Sequence, residues 1–361
     1  MKAMDTALTA EEDELNLMLA VVNLQLRRPE RALEFASRVT QGEELLEMKL
    51  SREAEALYQL GRFDDSIAKW TKVTELYPEN LLAGTELVRT RKRIQESQTG
   101  SYDFAAMYEQ AMANPPEIDC ATYSAPVTVR DTEGRGKGLF TTKDVKAGDL
   151  LLCEKAFAYS FVDRETFDEC QPMTPVDTGE GAVMTRGQLL TDIVQKLYHS
   201  PQTPEAFYSL WHGDYEPVPA SDVDGHPVVD TFLVDRIIHL NCFGSSRFEN
   251  ALYDLDTTEH DPPACGFFLL ASRVNHACLE NCRRSFVGDV LILRAAQDLP
   301  AGTELRYRYL WEGEEPYEER LKALEKIWGF TCTCEACVDR QSTPEHWLAH
   351  RQNLLAAMKE T

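Results

Sequence analysis

Apolar residues in the first hundred positions recur at helical spacing, and the set then repeats. Leu57, Leu60, Gly61, Phe63, Ser66, Ile67, Trp70, Val73 and Pro78 alternate large apolar groups with small ones, and a proline closes the run. Small residues suit places where two helices touch. Thirty-four positions earlier stand similar types: Ala20 for Ala54, Leu26 for Leu60, Ala32 for Ser66, Leu33 for Ile67 and Val39 for Val73. The pattern predicts paired helices over residues 10–95. The first copy is degenerate, with Arg27 in place of Gly61 and Pro29 in place of Phe63. The plainer reading is a generic amphipathic hairpin. Arrays of this kind stand alone with about three repeats, so two copies imply capping by residues 81–95 or docking onto the next domain.

The pattern changes after residue 95. A polar stretch and Asn114-Pro115-Pro116 mark residues 96–126 as a connector around a short helix over Tyr102–Met112. Val127–Arg130 alternates as a strand does, and Leu150–Phe157 reads as a buried strand. Between them lies the turn Gly134-Arg135-Gly136-Lys137-Gly138-Leu139-Phe140. It lacks the spacing of a dinucleotide or phosphate loop. Residues 185–199 carry two helical stripes, Leu189/Ile193/Leu197 and Leu190/Val194/Tyr198. Residues 204–211 suggest a second short helix, and residues 214–227 a loop. Thr231–Leu240 reads as a helix and residues 249–262 as an acidic surface loop. Arg284–Val287 and Val290–Arg294 flank Gly288-Asp289 as a hairpin. Glu304–Tyr309 reads as a strand, residues 316–327 and 344–359 as helices.

Composition narrows the classes. The 361 residues have a formal charge of −23, unsuited to wrapping a nucleic-acid backbone and suited to attracting basic peptides. Simple solubility is the plainer account of that charge. No apolar run approaches membrane-spanning length, and the first residues lack a signal core. The ten cysteines do not form the framework of a secreted domain, which points to metal binding in a reducing cytoplasmic or nuclear compartment. Cys332, Cys334 and Cys337 sit close enough to wrap one ion, but a structural zinc needs four ligands.

Three motifs in order carry a resemblance: Asn275-His276-Ala277-Cys278 with Cys282 four residues on, the strand ending at Tyr309, and Cys332-x-Cys334-x-x-Cys337. Together they resemble the SET domain of protein lysine methyltransferases, nearest to the SET-and-MYND branch. The insertion holds one cysteine, Cys170, so the MYND finger is missing. Helical repeats before a split SET domain are similar to the fungal proteins that combine tetratricopeptide repeats with SET. The implied fold is α+β: a split SET core of small antiparallel sheets, a helical insertion and a zinc-bound post-SET segment, preceded by an all-α tetratricopeptide-like domain. Its divisions are 1–95 (helical repeats), 96–126 (linker), 127–160 (first SET part), 161–230 (insertion), 231–311 (second SET part), 312–340 (zinc segment) and 341–361 (final helix).

The resemblance also assigns roles. It implies S-adenosylmethionine bound by Arg135, Gly136, Lys137, Gly138, Leu139, Asn241, Asn275, His276 and Phe330. Tyr309 would be catalytic, with Tyr307 beside it along a lysine channel. Cys278 would complete one structural zinc with Cys332, Cys334 and Cys337, and Cys282 is the competing fourth ligand. The implied activity is methyl transfer to lysine in a basic protein segment, a histone among the candidates, with a peptide partner for the repeats and neither nucleic acid nor membrane. Ala277 stands where the family has serine, and Leu279-Glu280 where it has an acidic-Pro pair. A catalytically idle SET fold acting as an interaction module is the alternative.

Overall fold

Paired helices open the chain in the computed structural model, which describes residues 2–40, 43–162, 184–200, 204–218, 222–245, 264–310 and 317–359. They are α1 (Lys2–Gln25), α2 (Pro29–Arg38), α3 (Glu43–Gln59), α4 (Phe63–Leu76), α5 (Leu81–Thr99) and α6 (Phe104–Ala111). Ala20, Ala32, Ala54 and Ser66 are fully buried, so neighbouring helices approach closely, and the Ser66 hydroxyl donates to Ala54 O at 2.8 Å. The repeat extends to the backbone. Leu26 N–H donates to Val22 O as Leu60 N–H does to Ala56 O. Arg28 N–H donates to Asn23 O as Arg62 N–H does to Leu57 O. Arg27 and Gly61 both adopt left-handed backbone, at φ +56° and +72°. The substitution of arginine for glycine therefore left the turn intact.

Two compact units divide the chain: Met1–Ala125 with Leu152–Leu269 and Phe286–Leu291, and Pro126–Leu151 with Leu270–Ser285 and Ile292–Thr361. In the first unit, the helical run extends past the expected residue 95, because α5 continues to Thr99 and stops at Gly100 in left-handed conformation. Residues 112–125, expected as part of a linker, are packed instead. The Asp119 carboxylate accepts from Tyr58 (2.6 Å) and Arg89 (2.8 Å), and Arg93 lies 3.0 Å away. Burial works to raise this carboxyl, but the bonds from Arg89 and Tyr58 prevail and hold it down to about 2. One residue earlier, Ile118 N–H donates to Asp289 at 2.9 Å, and Lys155 pairs with the same carboxylate at 2.5 Å.

The chain continues through β1 (Val127–Thr132), β2 (Gly136–Thr141), β3 (Leu150–Lys155) and β4 (Ala158–Phe161), then α7 (Met184–His199), α8 (Pro204–Tyr208), β5 (Asp222–Val223), β6 (His226–Pro227) and α9 (Thr231–Asn241). β7 (Phe243–Gly244) and β8 (Ala264–Phe267) follow, and β8 pairs antiparallel with both β4 and β7. Of the two stripes on α7, Leu189, Ile193 and Leu197 are buried with Phe207, Ile237 and Phe267, while Leu190 and Val194 are half-buried beside them. Asp230 caps α9 through Leu233 N–H at 3.0 Å. Cys170 and the stretch 249–262 lie outside the described residues.

The remaining elements are β9 (Asn275–His276), β10 (Cys282–Val287), β11 (Val290–Ala295), β12 (Arg306–Tyr307), α10 (Tyr317–Trp328), α11 (Glu335–Ser342) and α12 (Glu345–Lys359). In the second unit β1 and β2 pair antiparallel, Val127 opposite Thr141, whereas β9 and β12 pair in parallel. No helix among the described residues is long and apolar enough to cross a membrane.

Candidate active site and metal centre

The glycine-rich turn builds one wall. Gly134 and Gly136 have φ of +71° and +68°, and an added Cβ at either meets nothing within 4 Å. Backbone conformation alone demands glycine there. Gly138 is different. A Cβ at Gly138 would lie 2.8 Å from the Thr132 methyl and 3.1 Å from Glu304 Oε1, so glycine admits the Glu304 carboxylate to the strand. Glu304 is buried, and its oxygens accept from Asn275 Nδ2 (2.9 Å), Arg135 Nη2 (2.8 Å) and Arg306 Nη2 (2.6 Å). Three charge-assisted or amide bonds compensate the loss of water around a buried carboxylate.

Asn275 is oriented by this arrangement. Its amide also donates to Lys137 O at 3.3 Å, which leaves Oδ1 as an acceptor without a partner among the described residues. The strand expected over 304–309 forms a ladder at Arg306 and Tyr307, opposite Asn275 and His276, and a single antiparallel bridge from Glu304 to Phe140. A side chain replaces part of the missing ladder. Asn281 donates through Nδ2 to Glu304 O (2.8 Å) and accepts Arg306 N–H at Oδ1 (2.8 Å), while its own N–H donates to Arg306 O (3.0 Å).

Tyr307 and Tyr309 follow with different surroundings. Tyr307 is buried, its hydroxyl donates to Ala271 O at 2.9 Å, and the Arg284 guanidinium lies 4.6 Å from its ring centroid. Tyr309 is half-buried among His276, Trp328 and Phe330, with ring centroids at 5.3, 5.1 and 6.4 Å. Its hydroxyl donates to Val274 O at 3.0 Å, and its N–H donates to His276 Nδ1 at 3.1 Å. Desolvation, reinforced by the Glu304 charge, pushes the phenol up, so it is neutral at pH 7.

The cysteines converge. The sulfur atoms of Cys278, Cys332, Cys334 and Cys337 all lie within 4.8 Å of one another. Cys278 Sγ is 3.5 Å from Cys337 Sγ and 4.0 Å from Cys332 Sγ. A tetrahedral zinc with Zn–S of about 2.3 Å places its sulfurs about 3.8 Å apart, so the donor set fits that ion. Cys282 is fully buried elsewhere, with its thiol 3.5 Å from Arg306 O, and stands outside the set. Cys278 N–H donates to Cys334 Sγ at 3.4 Å. The Cys278 thiol, bonded to Cys332, holds the Cys332 thiol well below the ordinary range. α11, which carries Cys337, was not expected from the apolar pattern.

The structure brings Arg135, Gly136, Lys137, Gly138, Asn275, His276, Tyr307, Tyr309, Phe330 and the four cysteines into one unit. Leu139 is a core residue whose carbonyl accepts Leu305 N–H at 2.7 Å. Asn241 belongs to the other unit, at the end of α9, where its amide donates to Trp211 O (2.8 Å) and Ile237 O (2.7 Å). Glu304, Asn281 and Trp328 carry no motif that marks them in the sequence. An acid opening a strand that alternates Leu305, Tyr307 and Tyr309 with Arg306 and Arg308 was the available signal for Glu304.

The family model for the SET domain matches residues 136–310. A protein of Gibberella zeae described as "Methyltransferase" is 42% identical over 344 residues, covering 92% of this chain and 47% of that protein. The N-lysine methyltransferase SMYD2-A of Xenopus laevis is 28% identical over 273 residues, 59% of this chain and 61% of that protein. The protein-lysine N-trimethyltransferase SMYD5 of Gallus gallus is 33% identical over 84 residues, 22% of this chain and 20% of that protein. The chain spans less than two thirds of the length of each. A solved SET domain, that of LSMT bound to lysine and AdoHcy, aligns over 64% of this chain and 58% of its own at 12% identity and a TM-score of 0.31, a likeness too loose to carry argument. Residues 136–310 thus resemble a SET domain, and the relatives similar to this chain carry the names methyltransferase and SMYD lysine methyltransferase.

Proposed function

We propose that this protein is an S-adenosylmethionine-dependent protein lysine N-methyltransferase. The observation that carries the proposal is the anchoring of Tyr309 at both ends, hydroxyl to Val274 O and N–H to His276, two residues beyond the strand paired with Asn275 and His276. When bound, S-adenosylmethionine supplies a methyl group on a positively charged sulfur. Asn275 Oδ1 accepts a cationic N–H donor, which suits the amino-acid end of that cofactor. Gly134 and Gly136 leave backbone open for close approach, Arg135, Lys137, Gly138 and Leu139 continue that wall, and Phe330 supplies an aromatic face. Asn241 joins this set by resemblance. With its proton on Val274 O, the Tyr309 oxygen presents lone pairs to the amine of an incoming lysine. It orients the nucleophile, and a phenol pushed upward by burial does not act as the base. A free lysine, with a reference pKa of about 10.4, must lose its proton first, and burial beside a cation favours the neutral amine.

Cys278, Cys332, Cys334 and Cys337 would hold one structural zinc. Residues 1–95 serve as a tetratricopeptide-like array for a peptide partner. The substrate is a basic, lysine-containing protein segment, histones included, and the compartment is cytoplasm or nucleus. Calorimetric titration of S-adenosylmethionine into the full chain, followed by methylation of a lysine peptide array, tests the reading. Cofactor binding with labelled peptides is the expected result. A folded chain that binds no S-adenosylmethionine overturns it and leaves the interaction-module reading.

A further inference from the structure

His276 touches both halves of the second unit's chemistry through opposite edges of one ring. Nδ1 accepts the Tyr309 N–H at 3.1 Å, and Nε2 lies 3.7 Å from Cys278 Sγ. A backbone N–H can only donate, so Nδ1 carries no proton. The neutral ring therefore bears its proton on Nε2, the atom facing the thiol sulfur. A thiolate that binds a metal is a good acceptor for that N–H. The ring is buried and further fixed by Phe330, 6.0 Å between centroids.

We propose that His276 is a positioning residue whose side chain ties Tyr309 to the metal centre, donating from Nε2 to the Cys278 thiolate while Nδ1 holds the Tyr309 backbone. The resemblance places His276 among the residues that bind the cofactor; the role proposed here concerns its ring edges toward Tyr309 and Cys278. It rests on the four-cysteine reading of the metal site and not on methyl transfer. Metal loading and the position of Tyr309 are thereby linked through one side chain. Hydrogen-bonding neighbours of metal ligands typically contribute about 10–100-fold to metal affinity.

The two edges separate by isosteres. The amide oxygen of asparagine reaches roughly where Nδ1 stands, and the amide nitrogen of glutamine roughly where Nε2 stands. Three full-length variants are needed: His276→Phe, His276→Asn and His276→Gln. Zinc transfer to a chromophoric chelator measures affinity, and exchange of the Tyr309 amide by NMR measures the backbone bond. Zinc affinity should fall about 10–100-fold in His276→Phe and His276→Asn and recover in His276→Gln. Protection of the Tyr309 amide should be lost in His276→Phe and His276→Gln and recover in His276→Asn. Wild-type zinc affinity in His276→Phe and His276→Asn, or a wild-type chain that takes up no zinc, overturns the proposal. Uniform loss of both signals in all three variants also overturns it, since a packing residue behaves that way. A chain that passes these tests without methylating anything leaves this inference standing while the proposed function falls.

Discussion

Glu304 collects donors from the glycine-rich turn, from β9 and from its own neighbour Arg306. Its removal therefore acts at a distance. Glu304→Gln keeps the shape but leaves Arg135 and Arg306 facing a neutral amide. It should cost about 1–3 kcal/mol in denaturant unfolding, the range for buried polar groups that lose partners. Under the proposed function it also weakens cofactor binding, because Asn275 and Arg135 lose their common anchor. Tyr309→Phe separates differently. It removes the bond to Val274 O and the oxygen that faces the amine. Turnover should fall about 10²–10³-fold, by the scale of one lost hydrogen bond at a reacting centre, while cofactor affinity stays near wild type. Wild-type turnover in that variant would make Tyr309 a packing residue.

Elements repeat where single residues diverge. Arg27 and Gly61 adopt the same left-handed turn in consecutive hairpins, and no atom lies near an added Cβ at Gly61. Gly61→Ala thus introduces backbone strain and nothing else, and should destabilise by about 1–2 kcal/mol in urea unfolding. The metal element behaves as a set. Cys332 and Cys334 precede α11, Cys337 lies within it, and Cys278 comes from the turn after β9. Elemental analysis of purified Cys278→Ser should show loss of zinc, and Cys282→Ser should retain it. The opposite result would assign the fourth ligand to Cys282.

For the whole molecule, acid should loosen the first unit through Asp119. Its folded carboxyl titrates at about 2, below the ordinary 3.8, so its stabilising contribution is complete above pH 3.8 and disappears as pH falls toward 2. Asp289 opposes this trend, because burial raises its carboxyl and the folded chain then binds that proton more tightly than the unfolded one. The difference in urea midpoint between wild type and Asp119→Asn isolates the first effect. It should be constant from pH 7 to 5 and shrink below pH 4. A pH-independent difference would mean that Asp119 acts by shape alone. The same carboxylate also shows that the helical array is not simply appended. Asp119 fastens α3 and α5 to the segment beyond them, and Ile118 in turn caps Asp289.

Much was legible in the sequence because it is carried by near neighbours. Apolar spacing located the helices around residues 10–95, the α7 stripe and the β10–β11 hairpin. The order Asn275-His276-x-Cys278, Tyr309 and the three-cysteine cluster marked the candidate site. Tertiary structure decided what periodicity does not encode, namely which distant polar groups meet once apolar surfaces have closed. It brought Cys278 and not Cys282 beside the three-cysteine cluster, packed part of a predicted linker, shortened a predicted strand's ladder to two residues braced by Asn281, and set Glu304 under Arg135, 169 positions away. Burial makes such pairings obligatory, since an unsatisfied carboxylate or amide inside the fold is expensive. The partner is fixed by proximity in space, which a one-dimensional pattern of apolar and polar positions leaves open.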